Sequence, residues 1–287
     1  MAVARKTSGW APIGLVAPSL VFLSVFFAYP MYRAVRLTFS RADEPGFTLD
    51  TINRMTAEAS FGEAWRNTLL IIVLLLPLQF AFALAMALLV NGKLRGRGLL
   101  VYIYAIPIAI SDLAAGIVWF SIFTENGYLN TVLVEAGLLE RPFIFLNITT
   151  TWPLLIIVLA EVWRASSLMF VILLAGLQGI PADYDEAGAI FGAGWFTRLR
   201  KITLPILRPS ILVALILRTI LAFQMFAVVV ALTGGGTEVL ASESFRWFNR
   251  LRDEHVASAY ATFIMALSLV VVVVYLRVFR SDEEAAS

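Results

Sequence analysis

Long apolar stretches alternate with short polar ones along this chain, and the apolar stretches share one length. Uncharged runs lie at about 11–32, 67–90 and 256–276, each near or above the roughly twenty helical residues that cross a bilayer. Three more reach that length only by admitting charge: about 99–123 with Asp112, 152–177 with Glu161 and Arg164, and 209–232 with Arg218. Inside lipid a spanning segment must satisfy its own backbone groups, so each run is read as a helix. The expected fold is all-α: a polytopic membrane protein with spans at about 11–34, 67–90, 99–123, 152–177, 209–232 and 256–279, forming one membrane domain over 1–287. Prolines 77, 107 and 153 fall within or at the ends of these spans, where kinks are tolerated if neighbours satisfy the freed carbonyls.

Composition agrees with this pattern. A chain that is 60% hydrophobic and 15% charged is too apolar for an ordinary soluble surface. Arg5 and Lys6 precede the first run as they would in a signal peptide, but the run is longer than a usual signal core and no clear small-x-small cleavage site follows, so it is read as a retained span. Cysteine is absent, which excludes disulfides and thiolate metal sites. The single histidine, His255, is read as an exposed loop residue. No metal site is expected.

Six spans place both termini on one side, together with the segments around 1–10, 91–98, 179–208 and 277–287. These hold Arg5, Lys6, Lys93, Arg95, Arg97, Arg198, Arg200, Lys201, Arg208, Arg277 and Arg280, including all three lysines. The basic-residue bias makes this face cytoplasmic.

One of these segments is unlike a simple turn. In "GIPADYDEAGAIFGAGWFTRLRKITLPILRP", Pro181 is followed by Asp183, Asp185 and Glu186, which suits the start of a short helix whose positive dipole end faces acids. Gly188 and Gly192 are four apart, so in a helix they share a face beside Ala187. Each costs up to about 1 kcal/mol relative to alanine, and close approach of another surface would justify that cost. Tyr184, Phe191 and Trp195 supply large apolar anchors. The residues alone leave two readings open, a docking helix and an ordinary re-entrant loop with positive-inside charge.

The same segment resembles the cytoplasmic signature of binding-protein-dependent ABC importer permeases, carried here by Glu186-Ala187-Gly188, Gly192-Ala193, Ile202-Thr203-Leu204-Pro205 and Pro209. "WRNTLL" (65–70), "AEVWRASSLMFVILLAGLQGIP" (160–181) and "ALTGGG" (231–236) extend the resemblance over most of 61–276. It is strongest to carbohydrate-uptake permeases related to the first permease of maltose and trehalose importers. The chain departs from that pattern at Gly188, where the family has a second alanine, at Phe191, where an acid often stands, and at Leu199, where phenylalanine is usual.

The resemblance implies a type I importer permease whose coupling helix fits a cleft on a separate ATPase, with Tyr184, Glu186, Ala187, Gly188, Phe191, Gly192 and Trp195 as contact residues. It also implies a second homologous permease, two ATPase subunits holding ATP and Mg, and an external binding protein or lipoprotein. The cargo would be a di- or oligosaccharide such as trehalose or maltose, with glycerol-3-phosphate or a polyol as the alternative and an ATP-independent facilitator far behind. The location would be a bacterial plasma membrane. Lipid is an expected partner and nucleic acid is not. The chain itself would be neither an enzyme nor a cofactor binder: "NGKL" lacks the upstream glycine and the hydroxyl residue of a phosphate loop.

Charges in spans are expensive and face partners or cavities. With the fourth span entered at Trp152 and the fifth at Pro209, Glu161 and Arg218 each lie about 14 Å deep at ~1.5 Å per residue. A structural ion pair between them is expected, with Asp112 and Arg164 as alternative partners. Gln79, Trp119, Phe223, Gln224 and Phe226 have the amides and rings that a sugar needs. With Asp112, Glu161 and Arg218 they are the candidate pathway residues.

Overall fold

The computed structural model describes residues 11–40, 46–92 and 94–284; Arg5, Lys6 and Lys93, used above for orientation, lie outside them. Among the described residues the chain is helical without strands, apart from one antiparallel bridge, Ser40 to Phe47. In chain order the helices are α1 (11–38), α2 (Asp50–Ala57), α3 (Ala59–Asn91), α4 (Arg97–Ala105), α5 (Asp112–Phe123), α6 (Tyr128–Glu135), α7 (Trp152–Gln178), α8 (Ala182–Ile190), α9 (Trp195–Phe223), α10 (Ala227–Thr233), α11 (Leu240–Asn249) and α12 (Glu254–Glu284). Five helical stretches are long and apolar enough to cross a membrane: Gly14–Thr38, Ala59–Asn91, Trp152–Gln178, Trp195–Phe223 and Glu254–Phe279. A bent pair, Arg97–Ala109 with Asp112–Glu135, makes the sixth if it counts as one span.

Two spans depart from the sequence reading. The expected helix over 99–123 is broken: α4 tightens into a 3-10 turn at Ile106–Ala109, Ile110 is extended, and α5 leaves at 101°. Pro107 has no N–H for a continuing helix, and Ser111 caps the new one by accepting from the Ala114 N–H at 3.2 Å. Asp112 therefore opens a helix instead of sitting within one. The expected span 209–232 begins earlier, at Trp195, and stops at Phe223; Gln224–Phe226 separate it from α10. Pro205 and Pro209 do not delay its start, because a π-helical turn at Leu199–Thr203 precedes Pro205. A π turn at Ser24–Ala28 likewise precedes Pro30 in α1. A widened turn takes the proline ring away from the carbonyl it would otherwise strike.

The described residues form two compact units, one within Met1–Glu58 and Ser244–Phe263, the other within Ala59–Glu243 and Ile264–Ser287. In the first, α1 exposes nearly its whole spanning length. Its end is tied by Thr38 Oγ1 to Thr262 Oγ1 at 2.9 Å and by the Leu37 carbonyl to His255 Nδ1 at 3.0 Å. His255 is thus half-buried at the start of α12, not an exposed loop residue as expected. Arg54 pairs with Asp253 at 2.6 Å and Arg246 with Glu58 at 3.2 Å, and both guanidinium groups lie over the Trp247 ring.

The second unit is centred on α3 and α7. Ala83 and Ala87 let α3 approach Met169, Phe170 and Leu173 of α7, and Leu207, Ile211 and Ala214 of α9 complete that core. Gly176 of α7 faces Ser210 and Leu207 of α9, and Gly116 of α5 faces Ala231 and Val228 of α10. A Cβ at either glycine would overlap its neighbour. Close backbone approach of this kind is how helices associate in lipid, where no hydrophobic drive separates helix from solvent.

Candidate functional site

Helices α3, α5, α7 and α9 meet at a chain of polar side chains. Arg218 of α9 and Glu161 of α7 are each about 1% exposed. Arg218 Nη2 donates to Glu161 Oε2 at 2.5 Å, and its Nε donates to Gln79 Oε1 at 2.7 Å. The Gln79 amide in turn donates to the Glu161 carbonyl at 2.8 Å. The other carboxylate oxygen, Glu161 Oε1, accepts from Arg164 Nε and Nη2 at 3.2 and 3.0 Å, and Arg164 Nη1 reaches Asp112 Oδ1 at 2.9 Å. Two guanidinium groups and two carboxylates therefore sum to zero charge.

A buried charge is tolerated when it is paired and hydrogen-bonded; here Arg218 is paired with Glu161 and donates to Gln79 as well, and both carboxylate oxygens of Glu161 accept from a guanidinium. The expected ion pair is present, joined by Arg164 and Asp112, which the sequence offered only as alternatives. Gln79, Glu161 and Arg218 bond to one another, Glu161 also to Arg164, and all three are buried. Only the Asp112 end opens, with 47% of its side chain exposed.

The other candidate pathway residues are dispersed. Phe223 is buried at the end of α9, while Gln224 is exposed in the break that follows and Phe226 caps α10 half-buried. Trp119 is half-buried on α5, with its ring on Phe123 at 5.7 Å and against the Trp163 edge at 6.1 Å.

The second feature is the segment between α7 and α9. Helix α8 starts at Ala182, directly after Pro181, and carries Asp183 and Asp185 in its first turn, as the acidic stretch led one to expect. Gly192 lies outside it, at φ +78°, a conformation that favours glycine. The Gly192 N–H donates to Ala189 O at 2.9 Å and the Ala193 N–H to Gly188 O at 3.0 Å. This is the Schellman pattern that ends a helix. The chain then turns back, so Gly188 is buried against Ile202 and the stem of Arg198 of its own second arm.

The expectation that Gly188 and Gly192 share an open docking face is therefore corrected: one glycine admits the chain's own return arm and the other makes the turn. Arg198 Nε closes the hairpin on Asp185 at 2.8 Å, and its Nη1 donates to Ala193 O at 3.0 Å. What the hairpin presents outward is apolar: Ile190 is 84% and Phe191 90% exposed, with Tyr184, Trp195 and Phe196 more than half exposed. Glu186 and Ala187 are also exposed. Ile190 and Phe196 had not been picked out in the sequence, although both adjoin residues that were.

Residues 79–281 match the model of the family described as binding-protein-dependent transport system inner membrane component. The trehalose/maltose transport system permease protein MalF of Thermococcus litoralis is 37% identical over 201 residues, 68% of this chain and 67% of that one. The sulfoquinovosyl glycerol transport system permease protein SmoG of Agrobacterium fabrum is 35% identical over 283 residues, 94% of this chain and 90% of that one. In fold, the chain superposes with a TM-score of 0.80 and 21% identity on a chain of a bacterial ABC transporter involved in the import of the acidic polysaccharide alginate, covering 95% of this chain and 96% of that one. The family match takes in the network from Gln79 onward and the whole hairpin, and this chain belongs to the family of binding-protein-dependent transport system inner membrane components.

Proposed function

We propose that the chain is a permease subunit of an ATP-driven importer that carries a sugar, a di- or oligosaccharide of the trehalose or maltose kind, across the plasma membrane into the cell. The observation that carries this reading is the hairpin at 179–208. Its exposed Ile190 and Phe191 form an apolar tip, and its two arms continue into membrane-crossing helices. An exposed apolar tip on a rigid mount is the shape of a contact made with another protein. On this reading the tip enters a cleft of one of two ATPase subunits, which hold ATP and Mg. A second permease completes the passage, an external binding protein or lipoprotein delivers the cargo, and the hairpin and both termini face the cytoplasm.

The sugar class is supported by the names of the 37% and 35% identical relatives. A sugar phosphate or polyol is the second reading, supported by a 28% identical sn-glycerol-3-phosphate permease of Agrobacterium fabrum. The test is ATP-dependent uptake by the importer reconstituted with its partner subunits, against a panel of trehalose, maltose, longer glucosides and glycerol-3-phosphate. Uptake of the glucosides supports the first reading, uptake of glycerol-3-phosphate alone supports the second, and uptake without ATP or an ATPase overturns both.

A further inference from the structure

Helices α5 and α10 form a pair that is set off from the core by a break at the start of each. Ile110 and Ser111 are extended between the 3-10 turn and α5, and Gln224–Phe226 separate α9 from α10. The two helices meet closely, since a Cβ at Gly116 would overlap the Ala231 Cβ and press on the Val228 backbone. Packing this tight leaves them little freedom to move apart. Helices α3, α7 and α9 make a second body, joined by the core around Ala83, Phe170 and Leu207 and by Arg218 on Glu161. Between α5 and α7 the ion pair is Arg164 Nη1 on Asp112 Oδ1 at 2.9 Å. Trp119 also meets the Trp163 edge at 6.1 Å, a ring contact that can slide.

The links of the polar network differ in what their loss leaves behind. Parting Arg218 from Glu161 strands two side chains that are 2% and 1% exposed, which is strongly unfavourable for a buried pair. Parting Arg164 from Asp112 strands neither group. Arg164 keeps its Nε and Nη2 bonds to Glu161 Oε1. The Asp112 side chain is 47% exposed and lies in the first turn of α5, where the positive end of the helix dipole favours a carboxylate. Ser111 caps that helix by accepting from the Ala114 N–H, so the start of α5 does not depend on Arg164. The weakest link of the network therefore lies where the chain is broken and the two bodies meet.

We infer that the Asp112–Arg164 pair is a latch, closed in this structure and opened once in each transport cycle as the α5–α10 pair turns against the α7–α9 block. It rests on the importer reading, in which the hairpin moves α7 and α9 together. Glu161 holds the Arg164 guanidinium in place while the latch is open, so the pair re-forms when α5 returns. The chain has no cysteine, so Asp112→Cys with Arg164→Cys places one reactive thiol on each body. The assembled importer carrying both would be treated with a short, reducible bifunctional thiol reagent, once free of nucleotide and once with ATP held on a hydrolysis-deficient ATPase.

The latch requires that the yield of the crosslink within the chain differ severalfold between the two nucleotide conditions. With the hydrolysing ATPase, the crosslink should stop sugar uptake without releasing any subunit, and reduction should restore it. A single change gives a second reading that needs no reagent. Loss of one exposed ion pair shifts the ratio of open to closed latch by at most about fivefold, so the ATPase rate of Asp112→Asn without sugar should depart from wild type by between about twofold and fivefold. Asp112→Glu, which keeps the charge, should bring it back. Equal crosslink yields in the two conditions, full uptake by the crosslinked importer, or a wild-type ATPase rate in Asp112→Asn would each overturn the latch. Failure of the importer reading appears separately, as absence of ATP-dependent sugar uptake by the wild type.

Discussion

Gln79 shows how far residue chemistry could be read before the fold was known. Its amide suits a sugar hydroxyl, yet the structure commits it to Arg218 and to the Glu161 backbone. Depth along each helix brought Glu161 and Arg218 together correctly, because ~1.5 Å per residue is a reliable ruler; nothing in the sequence says which amide completes their shell. Gln79→Leu leaves a buried guanidinium N–H without its acceptor, a loss of about 1.5–3 kcal/mol, whereas Glu161→Ala strands Arg218 in the core at roughly 3–5 kcal/mol. Thermal unfolding in detergent should rank Glu161→Ala well below Gln79→Leu, and Gln79→Leu below wild type. Exchanging the charges, Glu161→Arg with Arg218→Glu, should not rescue, since Arg164 would lose its carboxylate and face a like charge. Outside the membrane, burial alone would raise the Asp253 carboxyl, but the Val256 N–H, the Arg54 guanidinium and the His255 N–H together hold it below the ordinary aspartate range. A lowered folded pKa gives stability that is complete above the unfolded value and fades as pH falls through the folded one, below about 4. Amide exchange at Val256, corrected for its intrinsic pH dependence, should speed up in that window, and Asp253→Asn should remove the dependence.

At the scale of elements, the legible features were those with a single physical cause. Spans were visible as apolar length, and α8 as an acidic start after Pro181. The break before Asp112 was legible in part, since Pro107 and the Ser111-Asp112 cap are stop and start signals, but the spanning length of the run from 99 to 123, with Asp112 its one charge, outweighed them. The break at Gln224–Phe226 carries neither proline nor glycine and left no sign. Gly192 was misplaced for a different reason: helical spacing is always available on paper, while a positive φ is visible only in three dimensions. That difference has a measurable consequence. No heavy atom lies within 4 Å of a Cβ at Gly192, so Gly192→Ala is opposed by backbone conformation alone, by about 1–2 kcal/mol, and Gly192→Asn by less. Sugar-stimulated ATPase activity of the reconstituted importer should therefore follow the order glycine, asparagine, alanine. Phe191→Ser, at a fully presented side chain, should leave the permease as stable as wild type and weaken copurification of the ATPase. The reverse order at Gly192, or unchanged copurification with Phe191→Ser, would mean that the tip is not the contact.

At the scale of the whole molecule, the hairpin acts as a lever only if it is stiff and both arms are fixed in the membrane. Its arms enter α7 and α9, and those helices are locked to each other by Arg218 on Glu161. A displacement of the tip is therefore passed to both helices as a pair, provided the hairpin does not splay. Three things resist splaying: the Asp185–Arg198 bridge, the Arg198 bond to Ala193 O, and the Arg198 stem over Gly188. The Asp185 side chain is 62% exposed, and an exposed ion pair contributes at most about 1 kcal/mol. Asp185→Asn should accordingly fold, assemble and hydrolyse ATP at the wild-type basal rate. Arg198→Ala removes all three restraints at once and should be the more severe change, with Arg198→Lys between them because its stem survives. The quantity that separates a lever from a mere docking surface is the number of sugars moved per ATP hydrolysed. It should fall in the order wild type, Asp185→Asn, Arg198→Lys, Arg198→Ala, while ATPase copurification stays constant. If that ratio holds at the wild-type value in Arg198→Ala, the hairpin transmits motion without its internal bridge; if copurification is lost instead, Arg198 serves assembly and the stiffness argument fails.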